Sequence, residues 1–354
     1  KALVQSGMDF TVKCEYSAVM NGFAVEAEMA DLEAIWEIVG VKDAFVAEFY
    51  SLPEPVKVSS NGGISAIGAD IVGEELGFTG KSSAVAILDT GLDIAHPAFS
   101  SVNNPKYAKE DIESVLKNNK MTVGKLNVSA VYINDKIPYA YDYADVDTNV
   151  SGGDSHGTHV AGVIAGKDSE ITGVAPNAQL AIMKVFSDEE EGAKTSWLLA
   201  ALEDCVTLGV DVINMSLGSS CGFSREVDET EVNTIYDSIK EAGISLIAAA
   251  SNDYNATFSS EKNGSNPLTT NPDSGTVGSP STYDSALSVA SVDGVMTPYI
   301  MYGDEIIYFN EASTSDTETK DFVDDVLNAV DPSGNLQSYE FEYVAVSGIG
   351  RSSD

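Results

Sequence analysis

Positive charge is scarce in this chain: 19 Lys and Arg stand against 55 Asp and Glu in 354 residues. That balance argues against a nucleic-acid partner, because phosphate binding needs a basic face. Anionic membrane surfaces are disfavoured for the same reason. An acidic surface favours solubility and attracts cations, but it names no substrate. Cysteine is scarce too: Cys14, Cys205 and Cys221, an odd count without regular spacing, which argues against a disulfide framework or a zinc site. Cys205 lies in an apolar helical stretch and reads as a buried, inert thiol. No run reaches the ~20 apolar residues of a membrane span, so no membrane insertion is expected. A signal peptide is also missing. The chain opens at Lys1 inside a strand-like stretch and is expected to be a piece of a longer precursor. Internal repeats are absent, and the histidines number three: His96, His156 and His159.

What is present divides into segments. Phe10, Val12 and Cys14 alternate with polar neighbours, the pattern of a half-buried strand. Asn21-Gly22 follows as a turn and Phe23 to Ala27 as a second strand. From Glu28 to Val39 the period changes: Met29, Leu32, Ile35, Trp36 and Val39 fall on one helical face, and Gly40 is the stop. Ala44 to Tyr50 reads as strand again. Pro53 and Pro55 break it, and Ser59 to Gly63 reads as a flexible linker.

Beyond the linker, strands and helices alternate, which implies a parallel sheet wrapped by helices. The predicted strands are short, largely apolar runs, as strands covered on both faces should be: Ala84 to Leu88, Leu180 to Val185, Val212 to Met215, Ile244 to Ala249 and Leu287 to Ala290. The predicted helices are His156 to Gly166, Thr195 to Leu208 and Glu229 to Ala242. Ser100 to Val150 reads as an insertion, with polar clusters and little period. After Gly294 the alternation stops; Tyr299 to Phe309 and Glu340 to Val346 read as strands of a β-rich insert.

Reactive residues in such sheets gather at the carboxyl ends of the strands. Asp89 ends the run Val85-Ala86-Ile87-Leu88, and a buried carboxylate there needs a partner. His156, in Ser155-His156-Gly157-Thr158-His159-Val160-Ala161-Gly162, opens a helix rich in small residues. An imidazole beside an orienting acid is a general base, and Gly157 allows another backbone close approach. A metal pair of His156 with His159 is the rival reading. It is disfavoured because helical zinc pairs use i,i+4 spacing with an intervening Glu. Asp93 and His96 read as loop-shaping residues. Asn252 follows the strand ending at Ala250, where a side-chain amide can donate to an oxyanion; a plain turn is the alternative. Ser216-Leu217-Gly218 follows another strand and its backbone can pair with an extended peptide. Gly218-Ser219-Ser220-Cys221-Gly222 matches a nucleophile elbow, but no helix is expected directly after it and every histidine precedes it. Ser220 is therefore rejected as nucleophile. Asp142, Asp145 and Asp147 offer oxygen ligands to a hard cation, with solvated surface acid as the alternative.

Together, Asp89-Thr90-Gly91, the His156 to Gly162 run, Gly173-Val174-Ala175-Pro176, Ser216-Leu217-Gly218 and Asn252 resemble, in order, the subtilisin-like serine proteases. The resemblance implies an α/β fold: a subtilisin-like parallel sheet flanked by helices. A small α+β, ferredoxin-like propeptide would precede it and the start of a β-rich, protease-associated insert would follow. The expected divisions are residues 1–57, 58–296 and 297–354. It implies that Asp89 orients His156 as general base and that Asn252 stabilises the oxyanion. Ser216, Leu217 and Gly218 would form one cleft wall, and Ala249, Ala250 and Ser251 the other, with Ser251 standing where the family usually has glycine. The family's Gly-Thr-Ser-Met-Ala-x-Pro serine motif has no match here, so the nucleophile is expected outside this chain and the fragment alone inactive.

The implied activity is a serine endopeptidase of the lactocepin, cell-envelope type, secreted or at a bacterial cell surface. Its expected partners are a protein or peptide substrate, its own propeptide and the carboxyl-terminal remainder of the precursor. No cofactor is needed for the chemistry; a structural calcium is the one ion considered. The propeptide end, near Tyr50 to Pro55, is expected in the cleft beside Ser216 to Gly218. The alternative is a non-catalytic pseudoprotease that binds peptides.

Overall fold

The computed structural model describes residues 8–47, 49–51, 64, 67–152, 154–219, 226–251, 277–291, 299–302 and 305–308. The chain divides into two compact units, residues 1–293 and 294–354. In the first unit the strands are β1 (Phe10–Tyr16), β2 (Gly22–Ala27), β3 (Phe49–Tyr50), β4 (Ala84–Asp89), β5 (Tyr139–Asp142), β6 (Gln179–Lys184), β7 (Ala193–Lys194), β8 (Val212–Met215), β9 (Ser245–Ala249) and β10 (Ala286–Val289). The helices are α1 (Leu32–Trp36), α2 (Ala69–Glu74), α3 (Lys109–Asn118), α4 (Val128–Val131), α5 (His156–Ala165), α6 (Thr195–Leu208) and α7 (Glu226–Glu241).

Six strands make one parallel sheet in the order β10-β9-β8-β4-β6-β5. Every residue of β4, β5 and β6 is buried. Successive side chains point to opposite faces, and two cores result. Ala86 and Leu88 join Tyr139, Met183 and the inner face of α6 on one side. Val85 and Ile87 join Leu180, Ile182 and Ala161 and Ala165 of α5 on the other. Burying a Leu or Ile side chain contributes roughly 1.5–3 kcal/mol, so the central strands are where the fold is held. α6 ends at Gly209, whose φ of +73° is the left-handed cap expected of glycine. Cys205 on α6 is buried and burial pushes its thiol well up, consistent with an inert side chain.

Several expectations need correction. The stretch Ser100 to Val150 is more than an insertion: it contains α3, α4 and the edge strand β5. Tyr139-Ala140-Tyr141-Asp142 is too short to show a period, and its pairing is supplied by β6. Strand β10 is not covered on both faces; as an edge it leaves Leu287 61% exposed. Glu28 to Val39 is a 3-10 turn at Met29–Asp31 followed by the short α1. Of its apolar face only Ile35 is buried, while Trp36 is 57% and Val39 94% exposed. Ala44 to Tyr50 is strand only at β3, because β7 offers it just two residues to pair with.

β1 and β2 form an antiparallel hairpin with a register shift between Val12 and Cys14. That irregularity breaks the predicted single face, and Val12 ends half exposed. The hairpin bend meets α6. Tyr16 donates its hydroxyl to the Ser196 carbonyl at 3.0 Å. The backbone N–H groups of Ser17 (2.6 Å), Ala18 and Val19 (2.7 Å) all donate to the buried carboxylate of Glu203.

In the second unit, β11 (Tyr299–Tyr302) and β12 (Glu305–Tyr308) pair antiparallel, so Tyr299 to Phe309 is not a single strand. The linker at Ser59 to Gly63, the strand at Glu340 to Val346, Ser220 and Cys221 lie outside the described residues.

Candidate active site

β4 delivers Asp89 to the carboxyl end of the sheet, and α5 begins beside it. Nδ1 of His156 lies 2.7 Å from Oδ1 of Asp89. The carboxylate is 1% exposed, and its Oδ1 also accepts the Thr90 N–H at 2.7 Å. The hydrogen bond to Asp89 holds the His156 ring above its ordinary value of 6.5, against burial, which lowers it. The ring keeps 23% of its surface open.

The close approach of α5 to β4 depends on glycine. A Cβ at Gly157 would stand 2.2 Å from the Gly91 carbonyl oxygen and 3.1 Å from Oδ1 of Asp89. Gly91 has φ +111°, and a Cβ there would meet the Val150 carbonyl at 2.1 Å. Thr90 then clips the two elements together: its Oγ1 accepts the Gly157 N–H at 2.9 Å. Asp154 accepts the His156 N–H at 2.6 Å in an Asx turn that leads into the helix. His159, one turn further along α5, is exposed. Nδ1 of His96 accepts the Ala98 N–H at 3.2 Å, a loop-shaping bond.

Beside this pair runs an open cleft of about 250 Å³, lined by Thr90, Asp154, Phe186, Ser187, Asp188, Glu190 and Gly192. A segment of the same chain crosses next to it. Ser51 and Gly218 exchange backbone hydrogen bonds, at 2.9 Å from the Ser51 N–H and 3.1 Å from the Gly218 N–H. Immediately before, Phe49 and Tyr50 pair with Lys194 and Ala193. Residues 49–51 thus add a strand to two separate edges, the geometry in which a sheet edge recognises an extended peptide. Gly192, at φ +81°, keeps room for the Tyr50 carbonyl, which a Cβ would meet at 2.8 Å.

The Subtilase family profile matches residues 80–330 of this chain. The chain belongs to the subtilase family. Among related proteins, the PI-type proteinase of Lactococcus lactis subsp. cremoris is 30% identical over 307 residues, covering 83% of this chain and 15% of that protein. The C5a peptidase of Streptococcus pyogenes serotype M3 is 33% identical over 229 residues, covering 62% of this chain and 18% of that protein. This subtilase chain therefore spans less than a fifth of the length of those two relatives. Among solved structures, fervidolysin from Fervidobacterium pennivorans aligns at 20% identity and a TM-score of 0.46, covering 69% of this chain and 37% of that one. The epidermin leader peptide processing protease of Staphylococcus aureus aligns at 16% identity and a TM-score of 0.48, covering 81% and 65%.

The remaining residues expected from the subtilase pattern are placed as follows. Ser216 follows β8, and its Oγ accepts from the Asn214 amide at 3.0 Å. Leu217 is buried and Gly218 carries the pairing with Ser51. Ala249 ends β9, Ala250 is buried, and Ser251 has φ +87°, a backbone state that favours glycine. Asn252 lies outside the described residues.

Buried Asp142 faces an ammonium group rather than open water, and the exposed Asp145 reaches the same group. Lys184, which is 1% exposed, contacts Asp142 at 2.5 Å, Asp188 at 3.2 Å and Asp145 at 3.3 Å. Burial pulls its pKa down, but these acids outweigh that and leave it raised. Asp147 caps the Asn149 N–H instead. Among the described residues no cluster of three or more His, Cys, Asp and Glu side chains is arranged to hold a metal. Lys184 escaped the sequence reading. Its one signal is a charged residue ending an apolar strand, as Asp89 does, and the two are register partners.

Proposed function

We propose that this chain is the amino-terminal part of a serine endopeptidase that hydrolyses peptide bonds through an acyl-enzyme. The observation that carries this reading is the 2.7 Å contact between buried Asp89 and half-buried His156. Asp89 takes Nδ1 and fixes the ring, so Nε2 is the atom left to accept a hydroxyl proton and later return it to the leaving amine. The imidazolium formed in between is stabilised by the carboxylate. Asn252 is the oxyanion donor. Substrate lies extended between Ser216 to Gly218 and Ala249 to Ser251, pairing as Ser51 does with Gly218. Residues 1–57 act as the propeptide, and their end blocks the cleft until removed.

The nucleophile in this reading is a serine outside these 354 residues, since the chain has no Gly-Thr-Ser-Met-Ala-x-Pro motif. The fragment by itself does not acylate; the carboxyl-terminal remainder of the precursor completes it, with residues 297–354 opening a protease-associated insert. The enzyme works outside the cell or at the bacterial cell surface. Its chemistry needs no cofactor.

A serine-directed fluorophosphonate applied to the complete gene product tests the proposal. Labelling that disappears in His156→Ala and Asp89→Asn supports the enzyme. A folded, complete protein that never labels would instead be a peptide-binding pseudoprotease.

A further inference from the structure

One row of side chains crosses the carboxyl ends of three strands. Asp89 on β4 and Asp142 on β5 are both register partners of Lys184 on β6. The three follow by two residues Ile87, Ala140 and Ile182, which belong to one core, and side chains two apart in a strand share a face. Adjacent strands lie about 4.8 Å apart, so the lysine starts midway between two carboxylates. Its ammonium turns to only one of them. Nζ meets Asp142 at 2.5 Å, with Asp188 at 3.2 Å and Asp145 at 3.3 Å, and makes no ion pair with Asp89. The stem nevertheless runs past the turn after Asp89: a Cβ at Gly91 would stand 3.1 Å from Cδ of Lys184, and one at Gly152 3.2 Å from its Cε.

Asp89 has an oxygen to offer that ammonium. Its Oδ1 carries both His156 and the Thr90 N–H. Its Oδ2 is buried and has no hydrogen-bond partner among the described residues. A buried acceptor without a donor is costly, and a bond from an ammonium is among the strongest that could relieve it. Such an ion pair would neutralise the acid that orients the imidazole. The acids on the other side of the lysine oppose it. Oδ1 of Asp142 accepts the Ala144 and Asp145 N–H groups, each at 3.0 Å, which aims Oδ2 at the lysine. Asp145 is held in turn by the Ser187 hydroxyl at 2.5 Å and the Asp188 N–H at 3.0 Å. We infer that Asp142, with Asp145 and Asp188, is a positioning residue for the Asp89–His156 pair: it captures the Lys184 ammonium and keeps it off the free oxygen of Asp89.

Asp142→Asn is the decisive variant. Its remaining oxygen stays with the two backbone N–H groups, so the new amide turns a donor toward the ammonium and releases it. The NMR titration of His156 in the 354-residue chain reads the result. The midpoint, raised in the wild type by Asp89, should fall to or below the ordinary value of 6.5. Asp142→Asn/Lys184→Met should restore it, while Lys184→Met alone should leave it near wild type. That non-additivity marks capture, because a charge acting only at a distance shifts the midpoint equally in both backgrounds. Asp154, the other acid beside the ring, is the same in every variant. A wild-type midpoint in folded Asp142→Asn, or a fallen midpoint that Lys184→Met does not restore, overturns the inference. If Asp142→Asn does not fold, Asp188→Asn decides, since that side chain is 47% exposed: a fall seen only when Lys184 is present supports capture, and no fall overturns it. The consequence for catalysis rests on the endopeptidase reading above. On that reading, Asp142→Asn in the complete gene product loses on the order of 10²-fold in kcat/KM and regains it with Lys184→Met. A wild-type complete protein that neither cleaves nor labels with fluorophosphonate ends the endopeptidase reading, while the His156 titration still decides the capture.

Discussion

β4, β5 and β6 bury every one of their residues, whereas the segment from residue 10 to residue 51 leaves Phe23, Trp36 and Val39 more than half exposed. Both regions meet at the cleft, but they are held in different ways. The Asp89–His156 pair sits on close-packed apolar strands and on glycines that let two backbones touch. The N-terminal segment is attached by a few directional bonds: Tyr16 to Ser196, the N–H groups of 17–19 to Glu203, and Ser51 to Gly218. Its burial is limited to a few side chains such as Tyr16, Val19 and Tyr50. Packing makes the first region one cooperative body. The second is held by fewer apolar contacts and more by directional bonds.

The largest effect should come from attacking the glycine contact. Gly157→Ala drives a Cβ to within 2.2 Å of the Gly91 carbonyl, and overpacking of this kind costs about 3 kcal/mol. A large fall in the thermal midpoint is expected, together with loss of the His156–Asp89 contact seen by imidazole NMR. Glu203→Ala should separate the two regions. Three backbone N–H groups lose their acceptor, a penalty of about 1–3 kcal/mol. Amide exchange of Ser17, Ala18 and Val19 should speed up many-fold while that of β4 and β6 is unchanged; equal acceleration in both regions would mean they unfold as one.

Ser251→Gly should act in the opposite sense. A non-glycine residue at positive φ is strained by roughly 1–3 kcal/mol, offset in part by the greater freedom of unfolded glycine. A net gain of about 1 kcal/mol is expected in denaturant unfolding. The smallest effect is that of pH on the Asp89–His156 region. The folded His156 ring titrates above its ordinary value of 6.5. Its contribution to stability is therefore complete below that value and is lost as pH rises through the folded-state value. With three histidines in the chain, NMR titration can follow the ring directly. Asp89→Asn should bring its midpoint down.

Legibility in the sequence followed the same division. Val212 to Met215 and Thr195 to Leu208 match β8 and α6 end to end, because a mostly apolar run between turn signals, or a long periodic one, has few ways to be buried. Asp89 and His156 were legible as a pair because a carboxylate ending an apolar strand needs a partner and an imidazole at a small-residue helix start can supply one. β5 was not, since four residues carry no period and its partner strand lies 37 residues further along the chain, from Asp142 to Gln179. The helical face of Met29, Trp36 and Val39 was misread because period alone does not say whether anything covers it. Ser251 stood out as a departure from the family pattern, but its contact with Gly278 is set by chain segments that meet only in space.

By itself, then, the sequence determined the family, the alternation of strands and helices, and the two residues that must touch, because local pattern and residue chemistry are properties of neighbours along the chain. Only the tertiary structure decided that Asp89 reaches Nδ1 of His156, that Lys184 holds the acids behind them, and that Ser51 lies against Gly218. Those relations depend on how far apart separate strands end up, and distance in space is fixed by packing rather than by order in the chain.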